Sequence, residues 1–274
     1  MAMSNTATRI IVSVISIPVI LLASYFGKLY FAAFVLAIAL MAFHEFSLMS
    51  AKKNISVNIP LGILFVLILV LNFYFRYLPN SLLTIAIPFL ILLFELFRNK
   101  GSVILNVGTT LLGIFYIGMF AGTFVGIREM FIGSNELYTQ SGFLVISLFV
   151  SIWICDSAAF FIGTAIGKHK LFPRVSPNKS WEGAIAGFLF AVLAMVAAKY
   201  IVLNFVTIEE AISIGIIVGI FGQLGDLVES LVKRDAGVKD SSAIIPGHGG
   251  IFDRFDSLLF TAPAVYLYLL YFVK

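Results

Sequence analysis

The sequence predicts an all-α, polytopic integral membrane protein, a helical bundle of about nine transmembrane helices. Hydrophobic residues make up 61% of the 274 residues and charged residues only 12%, whereas a soluble domain carries roughly 25% charged residues. The apolar residues form long blocks, and the basic residues fall mostly on one side of a nine-helix arrangement. Because so few polar groups cannot cover the surface of a chain of this size, lipid rather than water is the expected main solvent.

Nine apolar blocks are candidate membrane-spanning helices, because about 17–25 apolar residues cross a hydrocarbon core of about 30 Å. In chain order they are about 9–26, 29–47, 59–78, 81–97, 103–126, 142–167, 182–203, 211–232 and 257–273. Very short links at Gly27-Lys28 and Pro79-Asn80 predict antiparallel helical hairpins. We expect a scaffold of about four spans in 1–100, middle spans with a polar loop in 101–180, and C-terminal spans with the catalytic loop in 181–274.

The basic residues predict the orientation. With nine spans, the N-terminus and the even-numbered loops share one side. That side would hold 13 of the 18 Lys and Arg residues, namely Arg9, Lys52, Lys53, Arg98, Lys100, Lys168, Lys170, Arg174, Lys179, Lys233, Arg234, Lys239 and Arg254. The positive-inside rule places them in the cytoplasm, so we expect the C-terminus on the opposite side and the plasma (inner) membrane as location. The net charge of +4 gives no indication of a nucleic-acid partner, and none is expected.

Carboxylates inside apolar blocks are candidate functional residues, because burying an ionisable group in a membrane is costly. Asp156, Asp226 and Glu229 are of this kind. Asp226 and Glu229 are three residues apart and share one helix face. A structural hydrogen bond to a neighbouring helix is the alternative. Glu45 and Glu95 are interpreted instead as snorkelling side chains or as partners of a nearby Lys.

A second pair of carboxylates, Asp253 and Asp256, is also three residues apart and lies where the last polar loop enters the last apolar block. Together with Asp226 they would form an oxygen-rich site, which suits Mg²⁺ bound to substrate phosphates. Capping of the last helix is the structural alternative. Zinc is not expected, because the chain has one Cys and its three histidines are far apart in sequence.

The longest polar stretch, Ser230–Asp256, holds most of the candidate substrate-binding residues. Glycines in Pro246–Gly250 permit backbone conformations that other residues resist, and a loop before a helix can present N–H groups to a phosphate. The cations around it suit a polyphosphate or an anionic headgroup: Lys233, Arg234, Lys239 and Arg254. Alternatively, these cations only follow the positive-inside pattern and bind surface lipid.

A second polar insert, Lys168–Glu182, contains most of the segment Ser176-Pro-Asn-Lys-Ser-Trp-Glu-Gly183. Ser176 and Lys179 are placed for another phosphate contact. Ser180 can be read as an ordinary N-cap of the helix that follows.

The run Ser230-x-Val-Lys-Arg234, then Lys239-Asp240, then His248-Gly-Gly-x-x-Asp253-Arg-x-Asp256 closely resembles the motif of CDP-diacylglycerol synthases (phosphatidate cytidylyltransferases). The segments SPNKSWEG and Gly222–Ser230 (GQLGDLVES) are also similar to segments of that family. The resemblance is specific over roughly Cys155–Ser257 and general, in its hydrophobic spans, before that.

The resemblance implies that CTP and phosphatidic acid react to CDP-diacylglycerol and pyrophosphate, with Mg²⁺, in phospholipid biosynthesis. It implies catalytic roles for Asp226, Asp253, Asp256 and Lys233. The implied substrate-binding residues are Ser176, Lys179, Glu229, Arg234, Lys239, Asp240, His248, Gly249, Gly250 and Arg254. The implied metal ligands are Asp226, Asp253 and Asp256, with Asp156 as a further candidate. A second cation, membrane lipids and a second copy of the chain, in a homodimer, are the other expected partners.

Three alternatives to this function stay open at the level of the sequence. A CTP-dependent polyprenol kinase is the nearest enzyme alternative, although such kinases have shorter and different loops. An ion-coupled transporter would also bury carboxylates in helices, but the polar residues here concentrate in loops predicted on one side, and no inverted repeat is evident. A structural lipid-binding protein would explain the basic loops but not the clustered carboxylates.

Overall fold

The computed structural model describes residues 5–245 and 249–273, with side chains from residue 12 onward, and it is predominantly helical. The described helices are α1 Asn5–Phe26, α2 Lys28–Ala51, α3 Ile59–Phe75, α4 Asn80–Glu95, α5 Val103–Gly113, α6 Phe120–Arg128, α7 Asn135–Ile166, α8 Trp181–Ile201, α9 Ile208–Asp235 and α10 Phe252–Phe272. A π-helical segment, Ile114–Met119, joins α5 to α6. Each predicted apolar block overlaps one helix or this joined segment, so the helical character is confirmed.

The described helices differ in their capacity to cross a membrane. Six stretches are long and apolar enough: Lys28–Ala51, Val103–Arg128, Asn135–Ile166, Trp181–Ile201, Ile208–Asp235 and Phe252–Phe272. The apolar part of α1, Val12–Phe26, and the helices α3 and α4 are shorter. At 1.5 Å per residue, the 17 and 16 residues of α3 and α4 reach only about 24–26 Å, against a hydrocarbon core of about 30 Å. Helix length therefore supports a multi-pass membrane protein but does not confirm nine spans.

Helix α3 ends earlier than the apolar pattern predicts because the side chain of Asn72 binds the following loop. The backbone at Arg76 turns into the left-handed region, with φ of +57°. The Asn72 amide then accepts the N–H of Leu78 at 2.9 Å and donates to the Leu78 carbonyl at 2.9 Å and to Asn80 Oδ1 at 3.1 Å. These bonds satisfy the N–H and the carbonyl of Leu78 outside a helix, so the helix does not have to continue to this residue. The predicted span 59–78 is therefore shortened at its end.

The chain divides into two compact units. The first unit comprises the described residues of 1–19, 28–126 and 233–255, and the second comprises those of 20–27, 127–232 and 256–274. Helices α9 and α10 contribute residues to both units. The chain passes from the second unit to the first after Val232 and back to the second after Phe255. The division of the chain at residues 100 and 180 by role stays a prediction.

A short β-hairpin, which the all-α prediction did not include, precedes α8. Strand β1 (Lys170–Phe172) pairs antiparallel with β2 (Ser176–Ser180), with Lys170 opposite Ser180 and Phe172 opposite Ser176. The hairpin leads directly into the helix, because the Ser180 hydroxyl accepts the N–H of Gly183 at 3.2 Å as an N-cap. This confirms the capping interpretation of Ser180.

In the second unit, small residues on α9 allow neighbouring helices to approach closely. A Cβ added at Gly219 would lie 3.0 Å from the Cα of Phe188 in α8, and one added at Gly225 would lie 2.7 Å from the carbonyl oxygen of Asp256 in α10. Close backbone approach at small residues is typical of helices packed in lipid. At Gly225 it brings the first turns of α10 against the part of α9 that carries Asp226 and Glu229.

Candidate active site

Three carboxylates meet in the second unit. Oxygen atoms of Asp226, Glu229 and Asp256 all lie within 4.8 Å of one another, which makes this the one group of at least three such side chains able to hold a metal ion among the described residues. Glu229 and Asp256 are buried and Asp226 is half-buried. The sequence predicted Asp226 and Asp256 as metal ligands, but it assigned Glu229 to the substrate.

Lys179 from β2 is a cationic neighbour of this group. Its Nζ lies 2.5 Å from Asp226 Oδ2, and the Ser230 hydroxyl donates to Asp226 Oδ1 at 3.3 Å. Like charges held this close in a partly buried site repel strongly, and a cation bound among them reduces that repulsion. Hard oxygen ligands with an excess of negative charge suit Mg²⁺. The donor set therefore fits the predicted ion.

A second carboxylate network lies in the first unit and centres on Asp253. Lys233 Nζ donates to Asp253 Oδ1 at 2.7 Å, and the side chains are 12% and 4% exposed. Oδ2 accepts the backbone N–H of Ser241 at 3.0 Å, the Ser241 hydroxyl at 3.0 Å and the N–H of Gly250 at 2.7 Å. Asp253 thus ties the end of α9 to the start of α10, and its role as a metal ligand stays a prediction.

Glu45 belongs to the same network, although the sequence favoured a structural interpretation of it over a functional one. Its side chain lies in α2 and is fully buried. Oε1 accepts the Ser242 hydroxyl at 2.7 Å and the Ile251 N–H at 3.0 Å, while Oε2 accepts the Ser241 hydroxyl at 2.8 Å and the Phe252 N–H at 2.9 Å. The interpretation as a snorkelling residue or a local lysine partner is wrong, because all of these donors belong to the 241–252 loop.

Two glycines of the loop are required by their contacts with these carboxylates. Gly249 has a φ of +85°, and a Cβ there would lie 2.6 Å from Asp253 Oδ2. A Cβ at Gly250 would overlap the Ser241 hydroxyl and the Glu45 carboxylate. The N–H of Gly250 already donates to Asp253. The glycines therefore permit close packing around Asp253 and Glu45, and their contact with a phosphate stays a prediction.

The remaining predicted site residues are mostly at the surface. Ser176 is half-buried in β2. The exposed residues are Asp156, Arg234, Lys239, Asp240 and Arg254. Arg234 donates to the carbonyl of Val238 at 3.2 Å. Asp156 lies on α7 and is not a member of the three-carboxylate group, so its metal role stays a prediction. His248 lies outside the described residues.

Comparison with known proteins identifies the family. A sequence profile described as the cytidylyltransferase family matches residues 7–272. The chain belongs to this family. A phosphatidate cytidylyltransferase of Bacillus subtilis (strain 168) is 34% identical over 284 residues, covering 98% of this chain and 100% of that protein. Another, of Staphylococcus haemolyticus (strain JCSC1435), is 33% identical over 269 residues, covering 97% of this chain and 98% of that protein.

The predicted resemblance to phosphatidate cytidylyltransferases is confirmed, and it extends over nearly the whole chain rather than mainly over Cys155–Ser257. As a cytidylyltransferase, the protein is a nucleotidyltransferase enzyme. Such a transfer needs charge neutralisation and positioning of phosphates more than covalent help from the protein. The carboxylate group with Lys179 and the Asp253–Lys233 network are two clusters of charged side chains among the described residues.

Proposed function

We propose that this cytidylyltransferase is a phosphatidate cytidylyltransferase, which converts CTP and phosphatidic acid to CDP-diacylglycerol and pyrophosphate in phospholipid biosynthesis. The observation that carries the proposal is the nearly full-length similarity to bacterial proteins of that name. The long apolar helices agree with a lipid substrate, because they suit an enzyme that meets phosphatidic acid within the membrane.

The reaction needs no side-chain nucleophile. A phosphate oxygen of phosphatidic acid attacks the α-phosphorus of CTP and forms the new P–O bond. The bond from the α-phosphorus to the bridging oxygen of the β-phosphate breaks, and pyrophosphate leaves with those electrons. Since the attacking phosphate is already anionic, a Ser-His-Asp arrangement is not required. The protein instead has to hold two anionic substrates in line and offset their charge.

Asp226, Glu229 and Asp256 are the residues that we propose as Mg²⁺ ligands, because their oxygen atoms converge. A bound Mg²⁺ would offset the negative charge of the CTP phosphates. Glu229 is therefore proposed as a metal ligand, whereas the sequence predicted it as a substrate-binding residue. Asp253 is the weaker candidate, since its oxygens already accept hydrogen bonds from Lys233, Ser241 and Gly250. Asp156 stays a further candidate ligand, and a second cation is also proposed.

The basic residues are proposed to divide between the CTP phosphates and the phosphatidate headgroup. Lys179 and Lys233 are the best oriented of them, because each is held by a carboxylate, Asp226 and Asp253 respectively. The proposed contacts that complete substrate binding are Ser176, Arg234, Lys239, Asp240, His248, Gly249, Gly250 and Arg254.

The test of function is an assay of the full-length protein in detergent with radiolabelled CTP, phosphatidic acid and Mg²⁺. We expect CDP-diacylglycerol and pyrophosphate in equal amounts, no product with EDTA, and recovery on adding Mg²⁺. Asp226→Asn and Asp256→Asn should each lower kcat/KM by about 100-fold or more, as the loss of a group that stabilises transferring phosphates does. Glu209→Gln is the control, because Glu209 is an exposed carboxylate in the first turn of the same helix as Asp226.

Other outcomes point elsewhere. A phosphorylated polyprenol with release of CDP would identify a CTP-dependent kinase. Ion transport without CTP turnover would identify a transporter. Full activity of both Asp→Asn variants in Mg²⁺ would show that Asp226 and Asp256 are not the metal ligands. The proposed reaction would still stand.

The proposal includes the topology and the assembly of the enzyme. We infer nine crossings, with the N-terminus and both polar inserts in the cytoplasm, the C-terminus opposite and the plasma (inner) membrane as location. The distribution of Lys and Arg supports this. The homodimer is proposed from the family resemblance alone, and native mass spectrometry in detergent distinguishes one chain from two.

A further inference from the structure

We propose that Glu45 is a positioning residue of the enzyme. Its carboxylate holds Ser241 and Ser242, in the loop between α9 and α10, together with the start of α10 and, through Ser241 and Asp253, fixes the position of Lys233. The effect on the loop stands on the geometry alone, whereas the effect on catalysis rests on the proposed function. The sequence contains no motif around Glu45 that would assign it this role.

Two segments of the connection between α9 and α10 meet on one side chain. Ser241 and Ser242, shortly after α9, donate their hydroxyls to Glu45 at 2.8 and 2.7 Å. Ile251 and Phe252, where α10 begins, donate their backbone N–H groups at 3.0 and 2.9 Å. Glu45 is therefore the common acceptor that closes the base of the loop.

The contacts at Ile251 and Phe252 also give α10 its N-terminal cap. The first N–H groups of a helix have no partner within the helix, and a negative charge there interacts favourably with the helix dipole. A cap usually comes from the residue that precedes the helix. Here the acceptor comes from α2, 206 positions before Ile251. The start of α10 is consequently held by α2 as well as by its own loop.

From Glu45 the contacts continue to a candidate catalytic residue. The Ser241 hydroxyl lies between two carboxylates, 2.8 Å from Glu45 Oε2 and 3.0 Å from Asp253 Oδ2. The backbone N–H of Ser241 also donates to Asp253, and Asp253 holds Lys233 Nζ at 2.7 Å. Any shift of Ser241 therefore reaches Lys233 through Asp253. Glu45 itself acts through these residues and not on the substrate.

The site requires a glutamate in particular. Each oxygen of Glu45 accepts two donors, and two of the four are backbone N–H groups that can only donate. A glutamine would direct its own N–H₂ group against such donors, since an amide carries one acceptor and one donor end. A longer or branched residue has no room, because Gly250 packs directly on the carboxylate.

The first experiment measures hydrogen–deuterium exchange of the full-length protein in detergent, without substrate. In Glu45→Gln we expect the amides of Ile251 and Phe252 to exchange about tenfold faster, because the hydrogen bond that protects each of these amides is weakened. Glu95→Gln is the matched control. Glu95 is a buried carboxylate of the same unit that binds Arg98 at 3.2 Å and Asn106 at 2.9 Å. Unchanged exchange in Glu45→Gln, or equal changes in both variants, would overturn the proposal.

The second experiment separates positioning from general stability by steady-state kinetics, with rates expressed per folded molecule. Glu45→Gln should lower kcat about tenfold or more, with a smaller change in KM for phosphatidic acid, and the control should change neither. Ser241→Ala should lower kcat more than Ser242→Ala, because only Ser241 continues to Asp253. The double variant Glu45→Gln/Ser241→Ala should be no slower than Glu45→Gln alone. If the kcat losses of Glu45→Gln and Ser241→Ala multiply in the double variant, or if the two serine variants lower kcat equally, Glu45 does not act through Lys233.

The two proposals fail in different ways. If the wild-type protein makes no CDP-diacylglycerol, the proposed function is wrong, while the exchange experiment still tests Glu45. If Glu45→Gln does not fold, Ser241→Ala and Ser242→Ala test the role of Glu45 instead. They are then compared in hydrogen–deuterium exchange and in kcat.

Discussion

Carboxylates in the apolar helices are stabilised in two different ways. Asp226, Glu229 and Asp256 lie together with Lys179 as a cationic neighbour, and their oxygen atoms converge on one point. Glu45 instead receives four hydrogen bonds from hydroxyl and backbone donors. A charged group in a membrane protein needs such partners, and only the first arrangement is proposed to bind a divalent cation. The chemical role of each acid thus follows from its donors and not from its residue type.

A pair of glycines tests the packing around Asp253 at the level of single residues. Gly249 and Gly237 both have positive φ, +85° and +70°, but a Cβ at Gly237 would meet no atom within 4 Å, whereas one at Gly249 would meet Asp253. Gly237→Ala should cost about 1 kcal/mol from backbone strain alone. Gly249→Ala should cost more and should also lower kcat, because it displaces the carboxylate that holds Lys233.

The readout for both glycine variants is thermal unfolding followed with a thiol-reactive dye. Cys155 is the single cysteine and is buried, so it reacts when the protein unfolds. Equal stabilities and equal kcat values for the two variants would show that the Asp253 contact is unimportant.

The hairpin and α8 form one element that positions Lys179. Lys179 is the next-to-last residue of β2 and Ser180 caps the helix. The backbone N–H of Trp181 donates to the carbonyl of His169 at 2.9 Å, which closes the hairpin onto the start of α8. A loss of the cap should therefore move Lys179 relative to Asp226, with an effect on activity beyond the loss of stability.

Ser180→Ala and Ser134→Ala form a matched pair at this scale. Ser134 caps α7 through the N–H of Leu137 at 3.4 Å, in the same unit. Each substitution should cost about 0.5–2 kcal/mol of stability. Only Ser180→Ala should raise KM for CTP, since Lys179 precedes it. A similar KM in both variants would indicate that Lys179 is held by its own ion pair and not by the cap.

Sequence reasoning was most successful where spacing along a helix sets the geometry. The three-residue spacing placed Asp226 and Glu229 on one face, and Asp256, which the sequence predicted as a metal ligand together with Asp226, lies with them in the structure. Glu45 was missed because its donors are 196 to 207 positions away in the sequence. The periodicity of a helix predicts contacts only between residues that are close in sequence. The hairpin was missed because strands of three and five residues, one containing a Pro, show no clear alternation. The sequence indicated that the loop needs glycines, but not which atoms those glycines approach.

At the scale of the whole molecule, the shorter helices decide between six and nine membrane crossings. If α3 crosses, Ala51 at the end of α2 and Tyr77 after α3 lie on opposite sides of the membrane; both are exposed. In a Cys155→Ala background, an impermeant maleimide applied to intact cells should label Tyr77→Cys and not Ala51→Cys, because the positive-inside rule places Ala51 in the cytoplasm. Labelling of both positions from the same side would exclude a crossing by α3.

The contact between Glu45 and Ser241 also bears on how the enzyme is made. The two residues are separated by 196 positions, which at about 5–20 residues per second corresponds to about 10–40 s of translation. During that interval α2 has left the ribosome, while the hydroxyl and backbone donors of its carboxylate do not yet exist. The base of the α9–α10 loop is therefore completed only near the end of synthesis. A chain that stops before Ser241 carries an acid in a membrane helix without its final partners, which distinguishes an unfinished enzyme from a complete one.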